Sequence, residues 1–417
     1  MLFSAAALFS LLPLVLGAPS SEPLDKRAPL LQARGGKVIP GQYIVKFKDG
    51  AAAADTTILT AAAAAVGKFQ FNATHIYKGA FKGFSASLTS QDLERVRNLP
   101  EVEYIEEDAL VSIAGGDVDH VPVSTKTGTA PRAIVSQINA PWNLARLSSH
   151  TPGSTTYKYD STAGAGTCVY VLGTGIYTAH AQFAGGAVWG TNVVDTTNTD
   201  GNGHGTAIAG IIRSTIYGVA KQTKVIAVKV LGSSGSGTTS GIIAGMNWVI
   251  SDYPTRGCPN GVVAALTFGG SFSTAVNTAA RNLVNAGIFT TAGVGSSNTN
   301  VANSSPASEP LVCAVGATSS NDVVGSFNDY GPLLDIYAPG TLITTTWNTG
   351  TTATNTLTGT TLAMAHIAGL GAYLLGLPSA LTGSGLCAYM RSIATSGVLT
   401  NVPPNTSNLL AYNGWDL

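Results

Sequence analysis

The stretch Val169-Tyr170-Val171-Leu172-Gly173 decides the fold, because it is a short, continuous apolar run that ends in glycine. Runs of this kind are typical of strands that are buried on both faces of a parallel sheet. Three further runs have the same character: 225–230, 261–266 and 288–292. Helical stretches separate the runs, as at 241–250 and 274–286. This alternation predicts a doubly wound α/β domain of ~280 residues.

The composition restricts the class of protein. The chain has 417 residues, with 22 Lys and Arg against 22 Asp and Glu, so its formal net charge is zero. Only 11% of the residues are charged, which argues against a nucleic-acid partner, because such a partner requires a basic face. A hydrophobic fraction of 45% argues against disorder, because it can build a large core.

The N-terminal segment indicates the compartment. Residues 1–18 form an apolar run of signal-peptide length that ends in small residues. The alternative is a membrane anchor, but the run is short for a span of ~20 residues and lacks flanking positive charges. We therefore expect a secreted, extracellular protein with no membrane partner. Segment 19–40 contains the dibasic pair Lys26-Arg27, which predicts processing in the secretory pathway.

Cysteines and sequons agree with secretion. An even number of cysteines in an oxidising compartment predicts two disulfides, and the sequence alone leaves all three pairings open. The cysteines are Cys168, Cys258, Cys313 and Cys387. Three Asn-x-Ser/Thr sequons predict glycosylation at Asn72, Asn303 and Asn405.

Residues 41–113 are expected to form a separate small α+β unit. Alternating patterns predict strands at 43–48, 81–88 and 102–105. An Ala-rich stretch predicts a helix at 56–66, and a second helix is expected to open at Ser90, with serine as its cap. The order β-α-β-α-β suits a ferredoxin-like split βαβ layer. Acidic residues concentrate at its end, between Glu101 and Asp108.

A linker separates this unit from the larger domain. Residues 114–135 are rich in Gly, Thr, Val and Pro and lack helical periodicity, so we interpret them as a linker. The α/β domain is then expected to comprise 136–417.

Several motifs carry a family resemblance. The run 200–206, Asp-Gly-Asn-Gly-His-Gly-Thr, resembles the histidine motif of subtilases, and 169–176 resembles their aspartate motif. The run 358–366 is similar to their serine motif. Three other stretches resemble the proteinase K branch: 139–142, 217–220 and 305–310. Residues 41–113 resemble the inhibitor I9-type propeptide of the family. The resemblance covers nearly all of 139–413 and implies a subtilisin-like doubly wound parallel sheet.

The resemblance also implies a chemistry, which this sequence only partly retains. Subtilases are serine endopeptidases that use an Asp-His-Ser triad. The histidine is kept as His204, but the aspartate position is Gly173 and the serine position is Thr361. Glycine carries no carboxylate, and the β-methyl of threonine restricts χ1. Asp200 could take the place of the lost carboxylate, but it belongs to the turn of the histidine motif.

The position at which the family has an asparagine that stabilises the oxyanion differs as well. The asparagine of the family falls at Ser296 if Gly287 and Pro306 both keep their register, whereas another alignment places Val294 there. A serine hydroxyl is shorter than an asparagine amide, and a valine side chain donates no hydrogen bond.

Two segments match the substrate strands of the family. Gly235, Ser236 and Gly237 correspond to one strand edge. The other is represented by Thr267, Phe268, Gly269 and Gly270. Because pairing with a peptide backbone requires no particular side chain, capture of a peptide could persist without catalysis. The alternative is that these glycines serve turns only.

The family further implies a structural calcium ion and no organic cofactor. Its ligands would be the carbonyl groups of Pro310 and Val312 and the carboxylate of Asp335, and oxygen ligands suit calcium. Asp335 could instead be a plain turn residue. The implied disulfide pairings are Cys168–Cys258 and Cys313–Cys387.

Two functions follow from these features. The first is a secreted, monomeric pseudoprotease that binds a peptide, a protein partner or its own propeptide without cleaving it. The alternative is an active peptidase with Thr361 as nucleophile, or another hydrolase with a non-standard site. In the first case, maturation depends on another protease that cuts the linker, for example near Arg132.

Overall fold

The computed structural model describes residues 27–34, 37–49, 73–113, 133–378 and 381–417. Four predicted features lie outside these residues: the signal peptide, the helix at 56–66, Asn72 and most of the linker, including Arg132. Among the described helices, none is long and apolar enough to cross a bilayer.

The N-terminal unit is a β-sheet covered by a helix. Its strands are β1 (Leu30–Leu31), β2 (Val38–Phe47), β3 (Ala73–Lys78), β4 (Lys82–Ser87) and β5 (Val102–Ser112). They lie in the order β1-β5-β2-β4-β3. Helix α1 (Ser90–Arg97) is capped by Thr89, whose hydroxyl accepts a hydrogen bond from the Asp92 N–H. The prediction of a serine cap was therefore wrong by one residue, and strand β3 was missed.

The larger domain contains sixteen strands and six α-helices among its described residues. Its strands are β6 (Ile134–Ile138), β7 (Thr156–Asp160), β8 (Thr167–Gly173), β9 (Ala187–Asn192), β10 (Lys224–Lys229), β11 (Ser236–Thr238), β12 (Gly261–Leu266), β13 (Gly270–Ser271), β14 (Phe289–Gly293), β15 (Ser304–Ser305), β16 (Cys313–Thr318), β17 (Ile336–Pro339), β18 (Ile343–Thr346), β19 (Thr354–Leu357), β20 (Thr395–Ser396) and β21 (Leu409–Leu410). Its helices are α2 (Trp142–Leu147), α3 (His204–Arg213), α4 (Thr239–Asp252), α5 (Thr274–Asn285), α6 (Thr360–Leu375) and α7 (Leu386–Ile393).

Nine of these strands form the central sheet, in the order β20-β21-β17-β16-β14-β12-β8-β10-β9. All neighbouring pairs are parallel except β20 and β21. Val169 of β8 lies between Val225 of β10 and Val263 of β12. The apolar runs predicted from the sequence are thus adjacent strands of one sheet, and the predicted α/β class is confirmed.

Helices cover both faces of β8, which explains why its residues are apolar without alternation. Val169 and Val171 belong to a core that includes residues of α3 and α6. Tyr170 and Leu172 point to the opposite face and pack in a core with residues of α4 and α5. Helix α6 is central to the first core, and its 16 residues are all buried.

The N-terminal unit packs on the face formed by α4 and α5. Tyr77 and Phe81 belong to the same core as these helices. The Tyr77 hydroxyl donates to the Ser240 carbonyl at 3.1 Å, and the Gly79 N–H donates to Asn247 Oδ1 at 2.6 Å. The two parts therefore share buried apolar surface as well as polar contacts.

Two disulfides connect distant segments of the larger domain. Cys168, at the start of β8, is bonded to Cys258, and their Cα atoms are 5.7 Å apart. Cys313, at the start of β16, is bonded to Cys387 of α7, with a Cα separation of 5.6 Å. No free cysteine is found in the described residues.

We predict that replacing Cys168 and Cys258 by alanine lowers the free energy of unfolding by about 4–5 kcal/mol, because the chain-entropy model gives this value for a closed loop of that length. The bond links residues that are 90 positions apart. Urea unfolding of the variant and the wild type measures the difference. Replacing Cys313 and Cys387, which are 74 positions apart, is a second test of the same model, and we expect a similar loss of stability. A loss well below 1 kcal/mol would contradict the chain-entropy explanation.

Candidate active site

The turn before α3 places His204 at the first position of that helix. Gly203 adopts φ 105°, a left-handed conformation that favours glycine, and the helix starts directly after it. Asp200 fixes this turn, because its carboxylate accepts hydrogen bonds from the N–H groups of Gly203 and Thr206 at 2.8 and 2.9 Å and from the hydroxyls of Thr174 and Thr206 at 2.8 and 2.6 Å. Asp200 thus stabilises the backbone of the turn, and no hydrogen bond joins its carboxylate to the His204 ring.

His204 meets Thr361 across the site. Thr361 is the second residue of α6, and its Oγ1 lies 2.9 Å from His204 Nε2. Both residues are buried, with relative exposures of 2% for Thr361 and 7% for His204. The other ring nitrogen of His204, Nδ1, is buried and has no hydrogen-bond partner among the described residues. Two members of a triad are therefore in contact, while the atom that a third member would hold is unsatisfied.

Gly173 lies at the end of β8, where the third member would stand. A Cβ atom at this position would lie 2.4 Å from Thr267 Oγ1, which is well inside van der Waals contact. The Thr267 hydroxyl is fixed there, because it donates to the Leu172 carbonyl at 2.8 Å and the residue is fully buried. The space beside Gly173 is thus occupied by another polar group.

The electrostatic environment keeps His204 neutral. Burial lowers the pKa of its imidazole to about 4, and the more distant Asp200 charge opposes this effect only partly. A positive imidazolium is therefore disfavoured at neutral pH. This matters for catalysis, because a histidine base must carry that charge in the transition state.

The end of β5 lies between the two predicted substrate strands. On one side, β5 pairs antiparallel with β11, with Ser112 opposite Ser236 and Val111 opposite Gly237. The Ile113 N–H continues this contact by donating to the Gly235 carbonyl at 3.4 Å. On the other side, Ser112 and Gly269 exchange two hydrogen bonds, of 2.8 and 3.2 Å. Residues 111–113 therefore occupy the cleft as an extended peptide.

The remaining residues of the second substrate segment have different places. Gly270 lies against the strand, since a Cβ there would be 3.3 Å from Val111 Cγ1. Phe268 is fully buried and packs in the core shared with α4 and α5. Thr267 faces Gly173 instead of the peptide.

Two buried carboxylates attach β5 to the helices beneath it. Glu106 accepts hydrogen bonds from the Ser273 hydroxyl at 2.5 Å and the Ala275 N–H at 3.0 Å, at the start of α5. Asp108 accepts from the Ser240 hydroxyl and N–H at 2.6 and 3.1 Å, at the start of α4. Negative charge is favourable at helix N-termini, although burial raises the pKa of both groups. Sequence reasoning noted the acidic cluster but assigned it no role.

A cavity of about 450 Å³ adjoins the end of the peptide strand. Ile113, Val294, Ser296 and Asn303 are among its lining residues. Val294 is buried, and its N–H donates to the Val315 carbonyl at 3.3 Å, whereas Ser296 is exposed. Neither candidate for the oxyanion position carries a side-chain amide. Asn405, the third sequon, is exposed and lies elsewhere on the surface.

With Arg391 beside Asp335, the residues implied for calcium do not fit a calcium ion. Asp335 Oδ2 accepts the Ala314 N–H at 3.1 Å, and Oδ1 accepts a hydrogen bond from Arg391 Nη1 at 3.3 Å. Pro310 is exposed and Val312 is buried. A guanidinium at the carboxylate repels a second cation and occupies an oxygen that calcium would need.

Comparisons with known proteins agree with this arrangement. The model of the subtilase family matches residues 164–412, and the model of peptidase inhibitor I9 matches residues 42–114. The cuticle-degrading protease of Metarhizium anisopliae is 45% identical over 414 residues, which cover 98% of this chain and 99% of the relative. Proteinase R of Parengyodontium album is 45% identical over 411 residues, with 98% of both chains covered.

A solved structure shows the same fold. The crystal structure of a cold adapted subtilisin-like serine proteinase superimposes with a TM-score of 0.62 at 35% identity and covers 66% of this chain and 98% of that one. The parallel sheet, the His204–Thr361 pair at the starts of two helices and the propeptide strand in the cleft fit these matches. The chain therefore belongs to the subtilase family and carries an inhibitor I9 domain before its subtilase domain.

Proposed function

We propose that the protein is a secreted subtilase homologue that holds an extended peptide in its cleft but does not hydrolyse it efficiently. The observation that carries this proposal is the unsatisfied Nδ1 of His204, which faces no carboxylate because position 173 is glycine. Its own propeptide is the first occupant of the cleft, through residues 111–113.

The missing carboxylate removes much of the catalytic power of a triad. When imidazole takes the proton of the nucleophile, the carboxylate selects the tautomer and stabilises the imidazolium that forms. In subtilisin, a member of the same family, loss of this group lowers kcat by about 3 × 10⁴-fold, which corresponds to about 6 kcal/mol. The low pKa of His204, about 4, agrees with a ring that no carboxylate supports.

Binding, in contrast, depends on groups that the chain keeps. The contacts to residues 111–113 come from backbone N–H and carbonyl groups of Gly235–Gly237 and Gly269. Such β-augmentation takes its affinity from main-chain hydrogen bonds, whatever the side chains of the site can do chemically. Loss of catalysis therefore does not imply loss of peptide binding.

Secretion and glycosylation belong to the same proposal. The signal-peptide pattern at 1–18 and the two disulfides support an extracellular protein. Asn303 is an exposed sequon residue that lines the cavity beside the cleft, so a glycan there would stand at the cavity mouth.

One observation favours the alternative, an active hydrolase with Thr361 as nucleophile. The distance of 2.9 Å between Thr361 Oγ1 and His204 Nε2 is suitable for proton transfer. A nucleophile and its base are thus in place, whereas the group that orients the base and the side-chain amide for the oxyanion are absent. Direct assay decides between the two functions.

We predict that the wild type turns over a fluorogenic peptide at near-background rate and reacts poorly with a fluorophosphonate probe. Restoring the side chains as Gly173→Asp/Thr361→Ser/Ser296→Asn should have little effect by itself, because Thr267 Oγ1 fills the space that the new Cβ needs. Adding Thr267→Ala should then raise kcat/KM by several decades, since the residues of a triad act as a unit.

The matched control for this series is Thr267→Ala alone, which opens the space without supplying a carboxylate and should remain inactive. A wild type as active as the fourfold variant would show that Thr361 is a working nucleophile and would refute the pseudoprotease. A folded but inert fourfold variant that still binds peptide would place the defect elsewhere in the cleft.

We predict that NMR titration of His204 gives a pKa of about 4, because burial disfavours the charged ring. The pKa of an unfolded histidine is about 6.5, so the unfolded chain binds more protons between pH 6.5 and 4, and stability falls as pH decreases through this window. His366, whose pKa burial also lowers to about 4, adds to the same trend. Gly173→Asp/Thr267→Ala should raise the pKa of His204. A wild-type value near 6.5 would contradict the assigned environment.

We predict that Ser112→Pro loosens the propeptide strand, because proline lacks the N–H that Ser112 donates to the Gly269 carbonyl at 3.2 Å. Hydrogen exchange at the Gly269 amide, which donates to the Ser112 carbonyl, should become at least about tenfold faster, equivalent to about 1.4 kcal/mol. Ser112→Ala keeps the backbone donor and serves as the control. Equal protection in both variants would show that the strand is held without this pair.

A further inference from the structure

The spacing of two residues on α7 brings a positive charge to Asp335. Cys387 and Arg391 are four positions apart on this helix, so they lie on one face, a turn from each other. The disulfide from Cys387 to Cys313 holds that face against the start of β16. Asp335 directly precedes β17, the neighbour of β16 in the sheet. The fold thus positions the Arg391 guanidinium beside the Asp335 carboxylate.

Arg391 and the backbone of β16 each engage one oxygen of the carboxylate. Oδ1 accepts from Arg391 Nη1 at 3.3 Å, and Oδ2 accepts from the Ala314 N–H at 3.1 Å. The ion pair is shielded, because the side chains are only 15% exposed for Arg391 and 12% exposed for Asp335. A charge in such a place requires a partner, since desolvation without one is costly.

The surrounding groups do not form a metal site in this state. The sulfurs of Cys313 and Cys387 lie within 4.8 Å of the Asp335 oxygen, but they are joined in a disulfide and offer no thiolate. A hard divalent cation needs several oxygen ligands, and the implied set has one carboxylate and two neutral carbonyl groups. That one carboxylate is already paired with a guanidinium. The positive charge beside Asp335 is therefore that of the Arg391 side chain.

We propose that Arg391 takes the place of a bound divalent cation as the partner of Asp335, so that the stability of this region does not depend on calcium. The guanidinium links α7 to the segment before β17. It thereby supplies the positive charge that a bound metal ion would otherwise supply to Asp335. This inference holds whether or not the cleft hydrolyses peptides, because the ion pair belongs to the scaffold.

The test compares thermal midpoints of the full chain in millimolar calcium and in chelator. The wild type and Asp335→Asn should show the same response to calcium, because calcium bound at any other site acts on both. Arg391→Gln should lower the midpoint in chelator by several degrees, since it removes the positive charge beside the shielded carboxylate. Calcium should then restore part of that loss. Arg391→Lys keeps a positive charge and should respond to calcium as the wild type does.

Calorimetric titration with calcium chloride at room temperature gives a second readout that does not require unfolding. Arg391→Gln should bind one more equivalent than the wild type, and Arg391→Gln/Asp335→Asn should lose it again. A wild-type calcium response larger than that of Asp335→Asn would overturn the proposal, because calcium would then already reside at Asp335. A folded Arg391→Gln with an unchanged midpoint and no added calcium binding would also overturn it.

Discussion

The burial of β8 on both faces is the constraint on which the rest of the molecule depends. Its neighbours β10 and β12 supply the hydrogen bonds, and helices on both sides cover its side chains. In such a sheet, ligand sites form beyond the carboxyl ends of the strands. Gly173 ends β8 at that edge, and α3 and α6, packed on one face, start there with His204 and Thr361. The core therefore assembles the cleft, whichever side chains stand at its catalytic positions.

The propeptide domain packs on the helices that cover the other face of this sheet. Its strand β5 lies over the starts of α4 and α5, where unsatisfied N–H groups and the helix dipoles favour negative charge. Glu106 and Asp108 meet this need, and the strand then continues into the cleft as residues 111–113. The buried carboxylates thus fix the register in which the backbone of Ser112 reaches Gly269. The residues that anchor the propeptide, Glu106 and Asp108, are thus followed in the same stretch of chain by the residues that lie in the cleft, 111–113.

Local patterns and family resemblance predicted the parallel sheet and the inhibitor I9 domain before it, which the fold and the family matches confirm. The motifs also indicated His204 and Thr361, whose side chains are in contact. These predictions were possible because buried parallel strands have a composition of their own and because motifs keep their order along the chain. They missed Thr267 above Gly173, the helix contacts of Glu106 and Asp108, and the pairing of Arg391 with Asp335. Each of these depends on residues 56 to 169 positions apart, and no local pattern records such a juxtaposition. The serine cap of α1 failed for another reason, since adjacent Thr89 and Ser90 are both good caps.

The residues that hold the peptide strand are different from those at the catalytic positions of the family. Hydrolysis needs side-chain atoms at particular distances, and one absent carboxylate leaves His204 Nδ1 without a partner inside the core. Binding needs only the backbone of two strand edges, which glycine keeps free for a third strand. The Thr267 hydroxyl fills the space beside Gly173, so a side chain at position 173 requires Thr267 to move. At Gly173 a neighbouring hydroxyl, and not a cavity, takes up this space, in agreement with the close packing of protein interiors.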